Sequence, residues 1–313
     1  MVEGLPHELL AKYLPPGRRM VMYRTCKAIK HFLESLANRT PECLRLSICV
    51  RLITRPKHLP TLFAALSQKF RVEGLDMRGI KITEEVLREF SRRKSIDWGH
   101  LRSLYTGDAY IRPIMTDTVL AWLERCGNLT ATDVFGRIEL GDRAWALARG
   151  CKKLELSLLR RQYAGFETFA DELGKCTRVE ELDLSGNGVV LSNWPDKLQD
   201  ALSKLQELRM VSFAGCNPSP AVLNVIIPGC SASQATLQRM DLSHMVMVKS
   251  TALVLGMLLK GCQNLWDLNL NNTSLSYDDV DQLKKGLVHG VSLLQPCTVV
   301  VSDHLQLVTH LRF

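Results

Sequence analysis

The apolar residues of this chain fall in short clusters of one shape, and the clusters return at a nearly constant interval. "VEELDLSGN" from Val179, "LRMVSFAGC" from Leu208, "LQRMDLSHM" from Leu237 and "LWDLNLNNT" from Leu265 each place an apolar residue first, fourth and sixth. Their starts lie 29, 29 and 28 residues apart. Looser copies precede them, "VEGLDMRGI" from Val72, "LRSLYTGDA" from Leu101 and "LTATDVFGR" from Leu129, at steps of 29 and 28. Alternating apolar and polar places within each cluster predict a short strand with one face buried. A helical pattern follows the strand. "TEEVLREFSRRK" begins at Thr83, an expected N-cap, with Glu84 and Glu85 in the first turn and a basic cluster at the end, as the helix dipole prefers. "SYDDVDQLKKGLVHG" begins with a capping-box pair, Ser276 and Asp279, and closes at Gly290. A single strand-helix unit cannot bury its apolar side alone, whereas stacked units share a continuous core. The expected fold is therefore an α/β solenoid of strand-helix units on a curved parallel sheet.

Cysteines punctuate the same repeat. Cys126, Cys151, Cys176 and Cys262 each stand three residues before the apolar residue that opens the next cluster, Leu129, Leu154, Val179 and Leu265. "RGCKKL", "GKCTRV" and "KGCQNL" are versions of one joint. A small buried thiol fits such a turn. The chain contains no CxxC, which favours structural thiols over a metal or redox site. The irregularities are local: the unit at Cys151 is short, Cys230 stands seven residues before Leu237, and Thr132 replaces a leucine.

These units resemble the leucine-rich-repeat family, mixing ribonuclease-inhibitor-like and cysteine-containing repeat types. The resemblance covers residues 41–292, and residues 293–313 are expected to close the array as a C-terminal cap with a last strand. Residues 1–40 follow a different pattern. Leu9 with Tyr13 and Leu10 with Leu14 are i, i+4 pairs; Pro15-Pro16-Gly17 ends that helix; Met22, Cys26, Ile29, Leu33 and Leu36 mark a second helical face. "LPHELL" at 5–10, "YLP" at 13–15 and "TCK" at 25–27 resemble the F-box. The resemblance implies an F-box-like helical cap over residues 1–40 that binds a Skp-type adaptor of a cullin–RING ubiquitin ligase. Carried over residue by residue, the adaptor contacts are Leu5, Pro6, Leu9, Leu10, Leu14 and Pro15. The shortened first helix, Arg18-Arg19 and Ile29 depart from the F-box pattern, and the first two favour a cap that has lost the adaptor.

The sequence carries no recognisable catalytic motif. There is no GxSxG, no HExxH and no phosphate loop, and no His pair has i, i+4 ligand spacing. The expectation is a non-enzymatic interaction protein without cofactor or metal. Its target would lie along the concave face, in the outward strand column Asp76, Tyr105, Asp133, Asp183, Ser212, Asp241 and Asn269. Four carboxylates in that column predict an acidic strip for a basic partner segment.

Net charge is +8, and its placement matters more than its size. Residues 1–112 hold 21 Lys and Arg against 11 Asp and Glu. Arg51, Arg55, Lys57, Arg78, Lys81, Arg92, Arg93 and Lys94 form an expected basic patch. Nucleic acid is a second candidate partner for it, although no aromatic stacking platform is interleaved. No apolar run reaches the roughly 18 residues of a membrane span, and Glu3 and Glu8 suit neither a secretory signal nor a transit peptide. Cytoplasm or nucleus is expected. Two functions follow: substrate receptor of a cullin–RING (SCF-type) ligase, or structural subunit of a large assembly such as a ribonucleoprotein.

Overall fold

The computed structural model describes residues 20–23, 45–49, 59–67, 71–78, 82–107, 111, 113–157, 166–276, 278–280, 283, 298–301 and 309–312. The six expected adaptor contacts, Leu5, Pro6, Leu9, Leu10, Leu14 and Pro15, lie outside these residues, as do Arg51, Arg55, Lys57 and Lys81. The chain divides into two compact units, Met1–Ile138 and Glu139–Phe313.

In the first unit, strands β1 (Met20–Tyr23), β2 (Arg45–Cys49), β3 (Arg71–Asp76), β4 (Ser103–Tyr105) and β5 (Ala131–Thr132) run parallel in chain order. β1 is a correction at Met22, which the helical spacing assigns to a helix and which lies in a strand. The run Met-Val-Met-Tyr is short and apolar, and periodicity alone cannot tell a strand from a helix at that length. Between β2 and β3 the register slips: Leu46 pairs with Val72 but Ser47 pairs with Gly74. Glu73 is the extra residue of this bulge. Its side chain is buried, with the guanidinium Nε atoms of Arg71 and Arg102 at 3.5 and 3.9 Å.

Helices α1 (Leu59–Ser67), α2 (Glu84–Arg92) and α3 (Thr116–Arg125) cover the other side of the strands' apolar residues. Thr83 stands at the N-cap of α2 in extended conformation, but its side chain makes no cap hydrogen bond; Glu84 and Glu85 supply the negative first turn. The core is aromatic. Phe63 stacks on Trp98 at 4.9 Å between centroids, Phe90 stacks on Trp122 at 5.3 Å, and edge-on contacts join the two pairs. All four rings are buried.

In the second unit, β6 (Lys153–Glu155), β7 (Glu181–Asp183), β8 (Met210–Ser212), β9 (Arg239–Asp241), β10 (Asp267–Asn269) and β11 (Thr298–Val301) are parallel. β12 (Thr309–Arg312) returns antiparallel beside β11. The helices of this unit include α4 (Asp142–Ala148), α5 (Phe166–Leu173), α6 (Gly188–Asn193), α7 (Pro195–Ser203), α8 (Pro220–Gly229) and α9 (Lys249–Leu259). Register is fixed by one backbone device used repeatedly. The carbonyl just before each strand accepts two N–H groups from the next repeat: Lys152 from Glu180 and Glu181, Glu180 from Arg209 and Met210, Arg209 from Gln238 and Arg239.

The cysteine joints are helix ends. The thiols of Cys126, Cys176 and Cys262 donate to the carbonyls of Trp122, Glu172 and Leu258, four residues back, at 3.5, 3.6 and 3.5 Å. These carbonyls belong to the last helical turn, whose acceptors lack intrahelical donors. Where the joint stretches to seven residues, a 3-10 turn at Cys230–Ser233 absorbs the excess, and the Ser233 hydroxyl donates to the carbonyl of Leu205. Buried Thr132 replaces leucine because its hydroxyl accepts the Val134 N–H at 3.1 Å. The Ser276–Asp279 capping box is present in both directions.

Candidate interaction surface

Within the second unit, residues paired across the strands define two outward rows. One row is Lys153, Glu181, Met210, Arg239 and Asp267; the other is Glu155, Asp183, Ser212, Asp241 and Asn269. Between the rows lie Leu154, Leu182, Val211, Met240 and Leu268, all buried. Strand alternation accounts for this division.

The second row does a structural job first. Asp183 Oδ1 accepts the N–H of Ser185 at 2.8 Å, Asp241 Oδ1 that of Ser243 at 2.9 Å, and Asn269 Oδ1 that of Asn271 at 3.1 Å. In the first unit Asp76 Oδ1 does the same for Arg78 at 2.9 Å. Each side chain thus folds the turn that leaves its own strand, the local bonding that makes Asp and Asn turn residues. One residue later in these turns the backbone becomes left-handed, at Gly186, Gly215, His244 and Asn272 (φ 72, 64, 57 and 56°). Ser212 acts in the same way, its Oγ accepting the N–H of Ala214 at 3.4 Å; it also shares a hydrogen bond with Ser185 across the strands at 2.8 Å and, unlike Asp183 and Asp241, is buried.

The expected acidic column is therefore not uniform. Asp133 is a correction: it is buried and does not face outward. Its Oδ1 accepts the N–H and hydroxyl of Thr106, and its Oδ2 accepts the N–H of Gly107 at 2.6 Å. Burial raises its pKa above the ordinary carboxylate range, against those hydrogen bonds and Arg137. The strand ends after Thr132, so the alternation that would aim Asp133 outward stops one residue short. Asp76 is neutralised, held by the Arg78 guanidinium at 3.1 and 2.8 Å, which also lies 4.4 Å over the Tyr105 ring. The acidic strip proper belongs to the second unit: Glu155, Asp183 and Asp241, with no cation in that row. Glu155 is not among the residues expected in the column, although "LEL" at 154–156 has the form of "LDL" at 182–184; the irregular unit around Cys151 conceals the register.

Beside this strip the other row alternates charge. Lys153 reaches Glu181 at 2.9 Å and Glu155 at 3.5 Å, and Arg239 reaches Asp267 at 3.0 Å. Arg239 also lies 5.4 Å over the ring of Trp266, which is 40% exposed. Lys153, Glu155, Glu181, Asp183 and Met210 line a shallow depression. Trp, Arg and Met are residue types enriched in energetically important protein contacts.

Of the described residues of the basic patch, Arg92, Arg93 and Lys94 stand at the end of α2, and Arg78 stands in the turn after β3. Arg93 pairs with Glu89 at 2.9 Å, Arg78 is engaged by Asp76, and Arg92 and Lys94 are exposed. Arg125 closes the end of α2, donating to the carbonyls of Ser91 and Arg93 at 2.8 and 3.2 Å. Among the described residues no group of His, Cys, Asp and Glu could hold a metal ion, and no helix is long and apolar enough to cross a membrane.

No protein-family model and no curated protein sequence matches the chain. Solved structures do match its backbone. The leucine-rich-repeat-containing protein LegL7 from Legionella pneumophila is similar over 93% of this chain and 97% of its own, with a TM-score of 0.52 at 15% identity. A chain of the yeast Rad7–Elc1 complex is similar over 86% of this chain and 77% of its own, with a TM-score of 0.50 at 16% identity. At such identities the likeness concerns the backbone, and it agrees with the repeated strands and helices: this chain has the α/β leucine-rich-repeat fold.

Proposed function

We propose that this protein is a non-enzymatic substrate receptor of a cullin–RING ubiquitin ligase. In this reading residues 1–40 are an F-box-like cap that binds a Skp-type adaptor, and the outward sheet face of the second unit holds the target. The observation that carries it is that face, where Glu155, Asp183 and Asp241 form an acidic row beside Arg239, Trp266 and Met210. Proteins of leucine-rich-repeat fold act in protein–protein interaction, and a structurally similar chain crystallised as part of a two-protein complex, Rad7 with Elc1. "LPHELL" and "TCK" support the adaptor assignment.

The alternative, a structural subunit of a large assembly, draws on the basic surplus of residues 1–112 and on exposed Arg92 and Lys94. Affinity purification from cells that naturally express the protein separates the two. Wild type is compared with Leu9→Asp/Leu10→Asp and with Asp183→Asn/Asp241→Asn, which removes the charge and keeps the turn-forming oxygen, each checked for an unchanged thermal melt. The receptor reading expects adaptor and cullin to be lost only with the first variant, and a target only with the second. RNA-associated partners that persist in all three, with no adaptor in wild type, would establish the structural subunit instead.

A further inference from the structure

The helical side of the second unit changes character abruptly along the chain. α7 is charged outside, with Asp196, Lys197 and Asp200 exposed. From Ala214 to Gln238 there is no charged residue at all, and from Leu242 to Leu265 only Lys249 and Lys260 are charged. α8 carries Val222, Val225 and Pro228 partly exposed. α9, packed beside it, exposes Leu253 to 50% and Met257 to 64%, and Val246 and Val248 in the segment leading to it are 44% and 41% exposed. Globular helices normally put polar residues on the solvent side, and large contiguous apolar patches mark contact sites.

The exposed stripe of α9 has an order. It runs Lys249, Ser250, Leu253, Met257 and then Lys260, so an apolar centre is bracketed by a cation at each end, about 16 Å apart at helical rise. Neither lysine pairs with an acid among the described residues. Lys249 occupies the first turn, where a cation opposes the helix dipole, so the helix itself gives no reason for it. A second copy is disfavoured, because an antiparallel two-fold contact through this stripe would set Lys249 against Lys260. A lipid surface is disfavoured too: the stripe has no aromatic anchor, and two lysines fall short of the basic clusters that hold anionic membranes.

We infer that the α8–α9 face is a second docking surface, separate from the sheet face. It takes an apolar, helix-forming segment of another protein that carries a carboxylate near each end. Leu253 and Met257 contact the apolar centre; Lys249 and Lys260 pair with the carboxylates and set the direction of docking. Flexible, polarisable Met257 suits such a contact. This inference does not depend on the receptor reading.

The test places a photocrosslinking amino acid at Met257 of the full chain, in cells that naturally express the protein, and identifies the captured peptide. The expected capture is one protein segment with aliphatic side chains flanked by Asp or Glu. Its affinity for purified protein should fall about tenfold or more with Lys249→Glu/Lys260→Glu and recover when the segment's acids are changed to lysine. Capture of a second copy, of no protein, or of a segment whose binding ignores the lysine reversal would overturn the inference. So would binding to phosphatidylcholine vesicles containing about 30% phosphatidylserine that Leu253→Ser/Met257→Ser abolishes. Leu253→Ser/Met257→Ser is also melted alone. An unchanged Tm is expected, and a fall of more than about 4 °C would mean the chain itself covers the face, which equally overturns the proposal.

Discussion

Several side chains in this chain serve to end an element rather than to build one. The thiols show it. Burial pushes those of Cys126, Cys151, Cys176 and Cys230 up to about 12, with Arg125 and Arg149 opposing at Cys126 and Cys176 respectively, and Cys216 up to about 11. A thiol so rarely ionised is a poor nucleophile. Peptide-resolved alkylation at pH 8 should leave these five unmodified in the native protein and modify them fully in denaturant; native labelling of any joint cysteine would contradict that burial. His244 illustrates the same economy at a turn. It holds φ 57° where neighbouring repeats use Gly186 and Gly215. Left-handed backbone costs a side-chain-bearing residue about 1–2 kcal/mol, and glycine returns part of that as unfolded-state entropy. His244→Gly is therefore expected to raise stability by about 0.5 kcal/mol in a urea melt. A loss instead would show that the contact of His244 Nδ1 with Asn272, 3.3 Å away, outweighs the strain.

Among the elements, the strands carry alignment and the helices carry bulk. A strand of three residues contributes few hydrogen bonds, so its position depends on the paired N–H groups at its start and the turn-forming side chain at its end. The helices bring the large residues, and α3 brings Trp122, stacked on Phe90 and edge-on to Trp98. Trp122→Ala should cost about 3–5 kcal/mol, measurable as a lowered urea midpoint. An unchanged midpoint would mean that this cluster does not hold the first unit together. The strands and their spacing were legible in the sequence because burial on one face imposes the pattern leucine–x–x–leucine–x–leucine, and nothing else in the chain competes with it. The joints were legible for a similar reason, since a helix end of fixed length needs a small side chain at a fixed place. Other features were not. Asp133 has the same residue type and repeat position as Asp183 yet points inward, because β5 is two residues long and the chain turns before alternation can act. β1 escaped because four apolar residues have no period to read. The difference between the charged exterior of α7 and the apolar exterior of α8 and α9 is not part of the repeat, because the buried face fixes what the units share and leaves the outer face of each helix unconstrained.

For the molecule as a whole, ion pairs link one repeat to the next and make stability depend on pH. Glu172 is held below the ordinary carboxylate range by Lys175 and Arg149, and Glu180 by Lys152, with Arg209 adding to it. In the acid range the unfolded chain binds more protons at these two sites than the folded one. Their contribution is thus complete above the unfolded pKa, roughly 4.3 for glutamate, and is lost as pH falls through the lower folded values. Asp133 acts with the opposite sign: its folded pKa is raised, so its burial costs least in acid and more as pH rises past the unfolded value. Glu172→Gln/Glu180→Gln should flatten the loss of stability between about pH 5 and pH 3, followed by urea midpoints, while Asp133→Asn should steepen it. A slope unchanged by the glutamate pair would mean these bridges are screened by solvent, as exposed pairs often are.

The turn-forming row of the sheet face also constrains descent. Asp183, Asp241 and Asn269 each spend an oxygen on the fold itself, so a protein that changes its partner cannot freely change them. Lys153, Glu181, Met210 and Arg239 stand alongside and owe nothing to a turn. As lineages diverge, the first row should stay within Asp, Asn and Ser whatever the partner, and the second should drift with each partner's chemistry. Two columns one strand-width of sequence apart would then record separate histories: one of a fold being kept, the other of partnerships being exchanged.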